Sequence, residues 1–362
     1  MKKSIILLFV FIAATRISYA QKIQNDSLII NYNKIYSYCL DGDVKTALTF
    51  LEFSNTERIT SKDLKFKTQF ENRFKYTNDK SDYLANRTSP VTELLKIYRN
   101  YWRVSLLDNS QNHDTTLVQN VAQFLIDNCP PAHKLMANED SLNIYLKKYI
   151  QSFDLYTTGF GKTGKYFDLL VWASEKDTTY SFLSRNEKTS AQIVFMDDFI
   201  TLGWEEYATL DEYYPGGWAT KKALYCVKKA YDLNSEEFMI SYLAHESRHF
   251  ADYKLFPKLQ SADLEYRAKL TEVSMAQKTL YEILESFINN ANYESENGHS
   301  IANYSVVRDL SKALFNVEFE KDISKWKQLS IGKINETAYE ILLANTEALK
   351  KQGSGVERYI KK

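Results

Sequence analysis

With 362 residues, 46 of them basic and 46 acidic, the chain can build one large or two modest domains, and its balanced charge offers nothing to attract nucleic acid. Its 26 tyrosines and 20 phenylalanines mean that rings must fill much of the core. The three cysteines (Cys39, Cys129 and Cys226) allow at most one disulfide, show no C-x-x-C spacing, and read as small buried side chains.

In chain order, residues 1–20 read as a signal peptide. Lys2 and Lys3 precede an apolar run from Ile5 to Ala14, and Ser18-Tyr19-Ala20 is a small-x-small cleavage site. Ten apolar residues closed by Arg16 are too few to span a bilayer, so the expectation is an exported bacterial protein, periplasmic or secreted, with no stable membrane insertion after cleavage. Cleavage removes Lys2, Lys3 and Arg16 and no acidic residue, leaving 43 basic against 46 acidic.

Residues 21–156 read as a helical region. Ser27–Leu40 and Val44–Phe53 form an expected hairpin about Asp41-Gly42-Asp43, reminiscent of one tetratricopeptide-type unit without a second copy. Val91–Leu107, Leu117–Asn128 and Asp140–Phe153 carry further helical periodicity. His113 and His133 fall in connectors and read as surface histidines.

Thr157–Lys165 is the expected internal boundary, opening a second region over 157–362. Gly159, Gly164 and Lys165 mimic the phosphate-binding G-x-x-x-x-G-K pattern. Tyr166 stands where that pattern needs Ser or Thr, and a strand rather than a helix is predicted to follow. Tyr166–Phe182 reads as two strands about a Glu175-Lys176-Asp177 turn, with Gln192–Phe195 and Ala223–Val227 as further strands. The stretch from Trp204 to Trp218 reads either as a pinned loop or as the rim of a cleft.

His245, Glu246 and His249 then complete H-E-x-x-H within a helix that Asn234 is predicted to cap, with Glu237 closing the capping box. Residues four apart share a helical face, so both imidazoles can aim at one metal ion. Two of only five histidines at this spacing around a glutamate is improbable by composition. Ser261–Asn290 reads as one long helix whose apolar stripe is interrupted by Glu265 and Glu272. Carboxylates on such a face are costly unless paired or bound to metal. Asp252 shares the face of His245 and His249, where it would accept an imidazole N–H or serve as third ligand; Glu272 is a candidate for either position. Val306–Val317 and Glu336–Lys350 read as closing helices before a frayed basic tail.

The motif, followed sixteen residues after His249 by Glu265-Tyr266-Arg267-Ala268, resembles the gluzincin branch of zincin-like metallopeptidases. That resemblance covers residues from about 190 to 290. It implies one Zn2+ per chain on His245, His249 and Glu265, with Glu246 as general base and His299 or Tyr304 steadying the oxyanion. It also implies a small mixed sheet whose edge strand, Ala223–Val227, binds an extended peptide. The expectation is an α+β, mostly helical, zinc-dependent peptidase acting on peptides or proteins. The alternatives are a non-catalytic exported helical binding protein and a zinc hydrolase of non-peptide amides.

Overall fold

The computed structural model describes residues 30–52, 60–85, 87, 89–129, 138–184, 187–220, 223–294 and 297–360. The predicted signal segment and His133 lie outside the described residues. The fold is α+β, mostly helical with a small mixed sheet, and divides into two compact units. None of the described helices is long and apolar enough to cross a membrane.

The first unit comprises the chain up to Glu175 together with Met196–Gly216. Helices α1 (Tyr32–Leu40) and α2 (Val44–Glu52) form the expected hairpin. Gly42 turns it at φ +74°, and an added Cβ would strike the ring of Tyr166. Asn31 caps α1 by accepting the N–H of Lys34, and Asp43 accepts that of Thr46 at the start of α2. α3 (Ser61–Phe74) is a helix that periodicity missed, although Thr60 and Asp63 close a capping box at its start. α4 (Thr92–Leu107), α5 (Asp114–Asn128) and α6 (Glu139–Gln151) match the predicted helices to within a few residues. On α4 the fully buried Trp102 donates its indole N–H to the carbonyl of Phe167.

Short strands follow: β1 (Tyr156–Thr157), β2 (Gly161–Thr163) and β3 (Tyr166–Asp168). β2 and β3 pair as an antiparallel hairpin around Gly164, so the Gly-Lys stretch leads into a strand and has no helix to hold a phosphate. β4 (Leu170–Ser184) pairs at its start with β1. β4 runs straight through Glu175-Lys176-Asp177, where a turn was expected. β5 (Glu187–Leu202) is likewise far longer than Gln192–Phe195. α7 (Trp204–Ala208) follows it, and Trp204 is buried with its indole N–H on the carbonyl of Thr163.

The second unit comprises Lys176–Phe195 and Gly217–Lys362. β6 (Gly217–Ala219) and β7 (Leu224–Val227) pair antiparallel, and the strand order β4-β5-β7-β6 makes β6 the edge. The expected edge strand, Ala223–Val227, is therefore internal; its burial on both sides of the pairing explains its apolar Leu-Tyr-Cys-Val content. The helices that follow are α8 (His245–Leu255), α9 (Ser261–Met275), α10 (Leu280–Asn289), α11 (Gly298–Phe315), α12 (Ile323–Trp326) and α13 (Ile331–Gln352).

α9 is the hub of this unit, with α8, α11 and α13 all packed on it. Every residue from Asp263 to Ser274 is buried, so each polar side chain on it needs a partner. Between α9 and α10 the predicted single helix breaks at Ala276, whose ψ of 138° is extended. The Glu236 carboxylate accepts the backbone N–H groups of Gln277, Lys278 and Thr279, which would otherwise be orphaned at the start of α10. A cap supplied from 41 residues upstream leaves no local trace in the sequence. The tail is also held. Asp263 accepts the N–H groups of Tyr359 and Ile360, and Arg358 donates to Gln260.

Candidate metal centre

The motif helix starts one residue later than expected: the Ser235 hydroxyl, not Asn234, accepts the N–H of Phe238. Asn234 is engaged through its own N–H with Asp232. From Phe238 to Ala244 the helix is π-wound and tightens to α geometry at His245. The π turn shifts the register of everything after it, and such segments recur at functional sites. Gly217 (φ +155°) lets β6 run close to this turn, since a Cβ there would lie 2.8 Å from the Tyr242 ring. The register so set turns His245, Glu246 and His249 into the interior, where all three are buried.

Across from them, α9 presents Glu265. His245 Nε2 lies 3.0 Å from His249 Nε2 and 3.4 Å from Glu265 Oε2, and His249 Nε2 lies 3.3 Å from Glu265 Oε1. These three buried residues could hold a metal ion. Neither Glu265 oxygen makes a hydrogen bond, although both sit at ion-pair distance from imidazoles. A bound cation would satisfy both oxygens.

Glu272, two helical turns beyond Glu265 on α9, approaches His245 from behind at 2.5 Å from Nδ1. With the ring neutral, that contact places the proton on Nδ1 and would leave Nε2 as the lone-pair donor towards His249 and Glu265. Asp252 was expected in this position. It instead receives both Nε and a terminal nitrogen of Arg267, at 2.7 and 2.9 Å, and does not touch an imidazole. Arg267 is fully buried and takes precedence because an isolated guanidinium in the core needs a carboxylate, and Asp252 faces it on the adjoining helix. Its remaining nitrogen donates to Asn345 and Thr346 on α13.

His299, in the first turn of α11, places Nδ1 3.0 Å from Glu265 Oε2 and keeps 29% of its side chain exposed. Tyr304 stacks on Phe319 and against Tyr293, about 140° round the helix from His299. It serves the aromatic core of α11, so the oxyanion assignment for Tyr304 finds no support in this placement.

Burial and charge compete throughout the cluster. His245 is disfavoured as a cation by burial, yet Glu272 and then Glu265 outweigh this and push it up to about 10. Burial likewise works against the Glu265 carboxylate, but the charges of His299 and His249 hold it well below its usual range. Glu246 is pushed up to about 7 by burial, against the pull of the two histidines. Among the described residues both of its oxygens and the hydroxyl of Tyr231 lack hydrogen-bond partners, while the hydroxyl of Tyr242 meets the thiol of Cys226. Both tyrosines feel the Glu246 charge. Sequence reasoning missed them, though Tyr242 lies four residues before Glu246. Tyr253, four residues after His249, lies over that ring at 6.4 Å. The three cysteines are free and buried, as expected.

No protein-family model, curated protein or solved structure matches this chain.

Proposed function

We propose that the chain is an exported zinc-dependent peptidase, with His245, His249 and Glu265 as the metal ligands and Glu246 as general base. The observation that carries this reading is the spacing of the three buried donors. Donors about 2.0–2.2 Å from a tetrahedral zinc lie about 3.3–3.6 Å from one another. The separations of 3.4 and 3.3 Å to Glu265 fall in that range and the 3.0 Å between the two imidazoles lies below it; two imidazoles with one carboxylate form a borderline-soft set suited to zinc.

Zinc, when bound, supplies Lewis acidity that acidifies water and polarises a carbonyl. Glu246 follows the first ligand directly and has both oxygens free, so it takes the proton of the attacking water and returns it to the leaving amine. His299, partly open to solvent in the first turn of α11, donates to the carbonyl oxygen as negative charge develops there. An extended substrate adds to the edge of β6, which the strand order leaves unpaired on one side.

Zinc analysis beside a peptide-library assay tests this proposal. Glu246→Gln is expected to keep its zinc and lose at least about a hundredfold in kcat, the lower range for one acid–base group. Full activity in that variant would remove Glu246 from the chemistry. Bound zinc without cleavage of any peptide, but with cleavage of a small amide, would move the reading to non-peptide amides.

A further inference from the structure

The first unit contains a cavity of about 400 Å³, within the usual range for small-ligand sites. Arg73 and Tyr83 form its floor, only 4% and 1% exposed. Arg73 lies against the rings of both Tyr83 and Tyr207, each centroid 5.1 Å from its guanidinium carbon, and donates Nη1 to the carbonyl of Tyr207. Its Nε has no hydrogen-bond partner, and among the described residues no carboxylate pairs with it. A buried guanidinium with no counter-ion is costly, and ring faces offset only part of that cost.

The backbone of the wall is strained at the same place. Leu210 and Asp211 line the cavity with φ of 56° and 70°, two consecutive non-glycine residues in the left-handed region. A bulky residue such as leucine adopts that conformation only when its surroundings enforce it, and such strain gathers at ligand sites. Arg87 secures the wall by pairing with Asp211 at 2.8 Å while lying 3.9 Å from the centre of the Tyr83 ring.

The charges set the ligand class. Arg87 is taken up by Asp211 and by the buried Glu206 at 3.4 Å, which leaves Arg73 and Lys80 facing the cavity against Asp82, an excess of one positive charge there. That excess suits one carboxylate and disfavours a polyanion. The amide side chains of Gln69 and Asn72 also line the cavity and can hydrogen-bond a peptide-like body. We propose that this cavity binds a small monocarboxylate of amino-acid to dipeptide size, its carboxylate facing Arg73 and Lys80. The cavity lies wholly in the first unit, so the proposal stands independently of the metal centre.

Titration calorimetry with dialanine, N-acetylalanine, alaninamide and inorganic phosphate on the full chain tests it. The two carboxylates are expected to bind saturably and alaninamide not to bind. Lys80→Met, at the exposed rim, is expected to weaken binding about tenfold, and Arg73→Gln to abolish it, while His245→Ala leaves it unchanged. Circular dichroism confirms folding of each variant, and Lys80→Met decides the question should Arg73→Gln not fold. Binding of alaninamide as tight as that of dialanine, of phosphate alone, or of none of the four would overturn the proposal. So would carboxylate binding that disappears in His245→Ala.

Discussion

The hydrogen bond from His245 Nδ1 to Glu272 decides which imidazole nitrogen faces the two other donors. Removing it leaves the ring free to turn and its tautomer unset. Glu272→Ala is therefore expected to lower zinc affinity by about 10–100-fold. Competition against a chromophoric chelator measures this, and unchanged affinity would show that Glu272 orients nothing. The histidine pair and Glu246 were legible because a helix repeats every 3.6 residues, and Glu265 because a carboxylate on an apolar stripe demands a partner. Asp252 and Glu272 were both legible as candidates for the place behind an imidazole, but the choice between them was not. It depends on Arg267, whose burial on α9 no local pattern announces.

At the scale of elements, α8, α9 and α13 are tied together by that same Arg267, which reaches Asp252 on one side and Asn345 and Thr346 on the other. Arg267→Met would leave Asp252 buried without its counter-charge and is expected to cost about 3–5 kcal/mol. Adding Asp252→Leu removes the stranded charge and should recover much of the loss. Urea unfolding of the two single variants and the double variant measures both effects, and purely additive losses would contradict a coupled pair. Periodicity found most helices of the chain. It missed α3, where Phe66, Phe70 and Phe74 are separated by strongly polar residues. It also fused α9 and α10, because the break depends on Glu236, distant in sequence. The long strands β4 and β5 exceed their apolar cores because sheet pairing carries charged residues along.

At the scale of the whole molecule, stability should depend on pH through carboxylates buried away from the metal centre. Asp168 is pushed up to about 7 by burial, despite accepting the N–H groups of Trp204 and Leu169. Its ordinary value is 3.8, so the folded chain holds a proton there that the unfolded chain releases between those two values. This contribution is fully present below pH 3.8 and is lost as pH rises through 7, an effect of order 4 kcal/mol. Asp168→Asn should flatten that part of the profile, and denaturation at pH 5 and pH 8 measures it; an unaltered slope would assign the effect elsewhere. Gly203 (φ +96°) lies so close to the Asp168 carboxylate that Gly203→Ala should disturb the same site.

The central claim is a metal centre made of His245, His249 and Glu265. Zinc content of the purified mature chain, set beside His245→Ala and Glu265→Ala, tests it most directly. The account predicts close to one zinc per chain in the parent and little in either variant. A parent that takes up no metal even after reconstitution would contradict it and leave a helical binding protein. Zinc retained in Glu265→Ala would contradict the ligand set and pass the third position to Glu272 or His299.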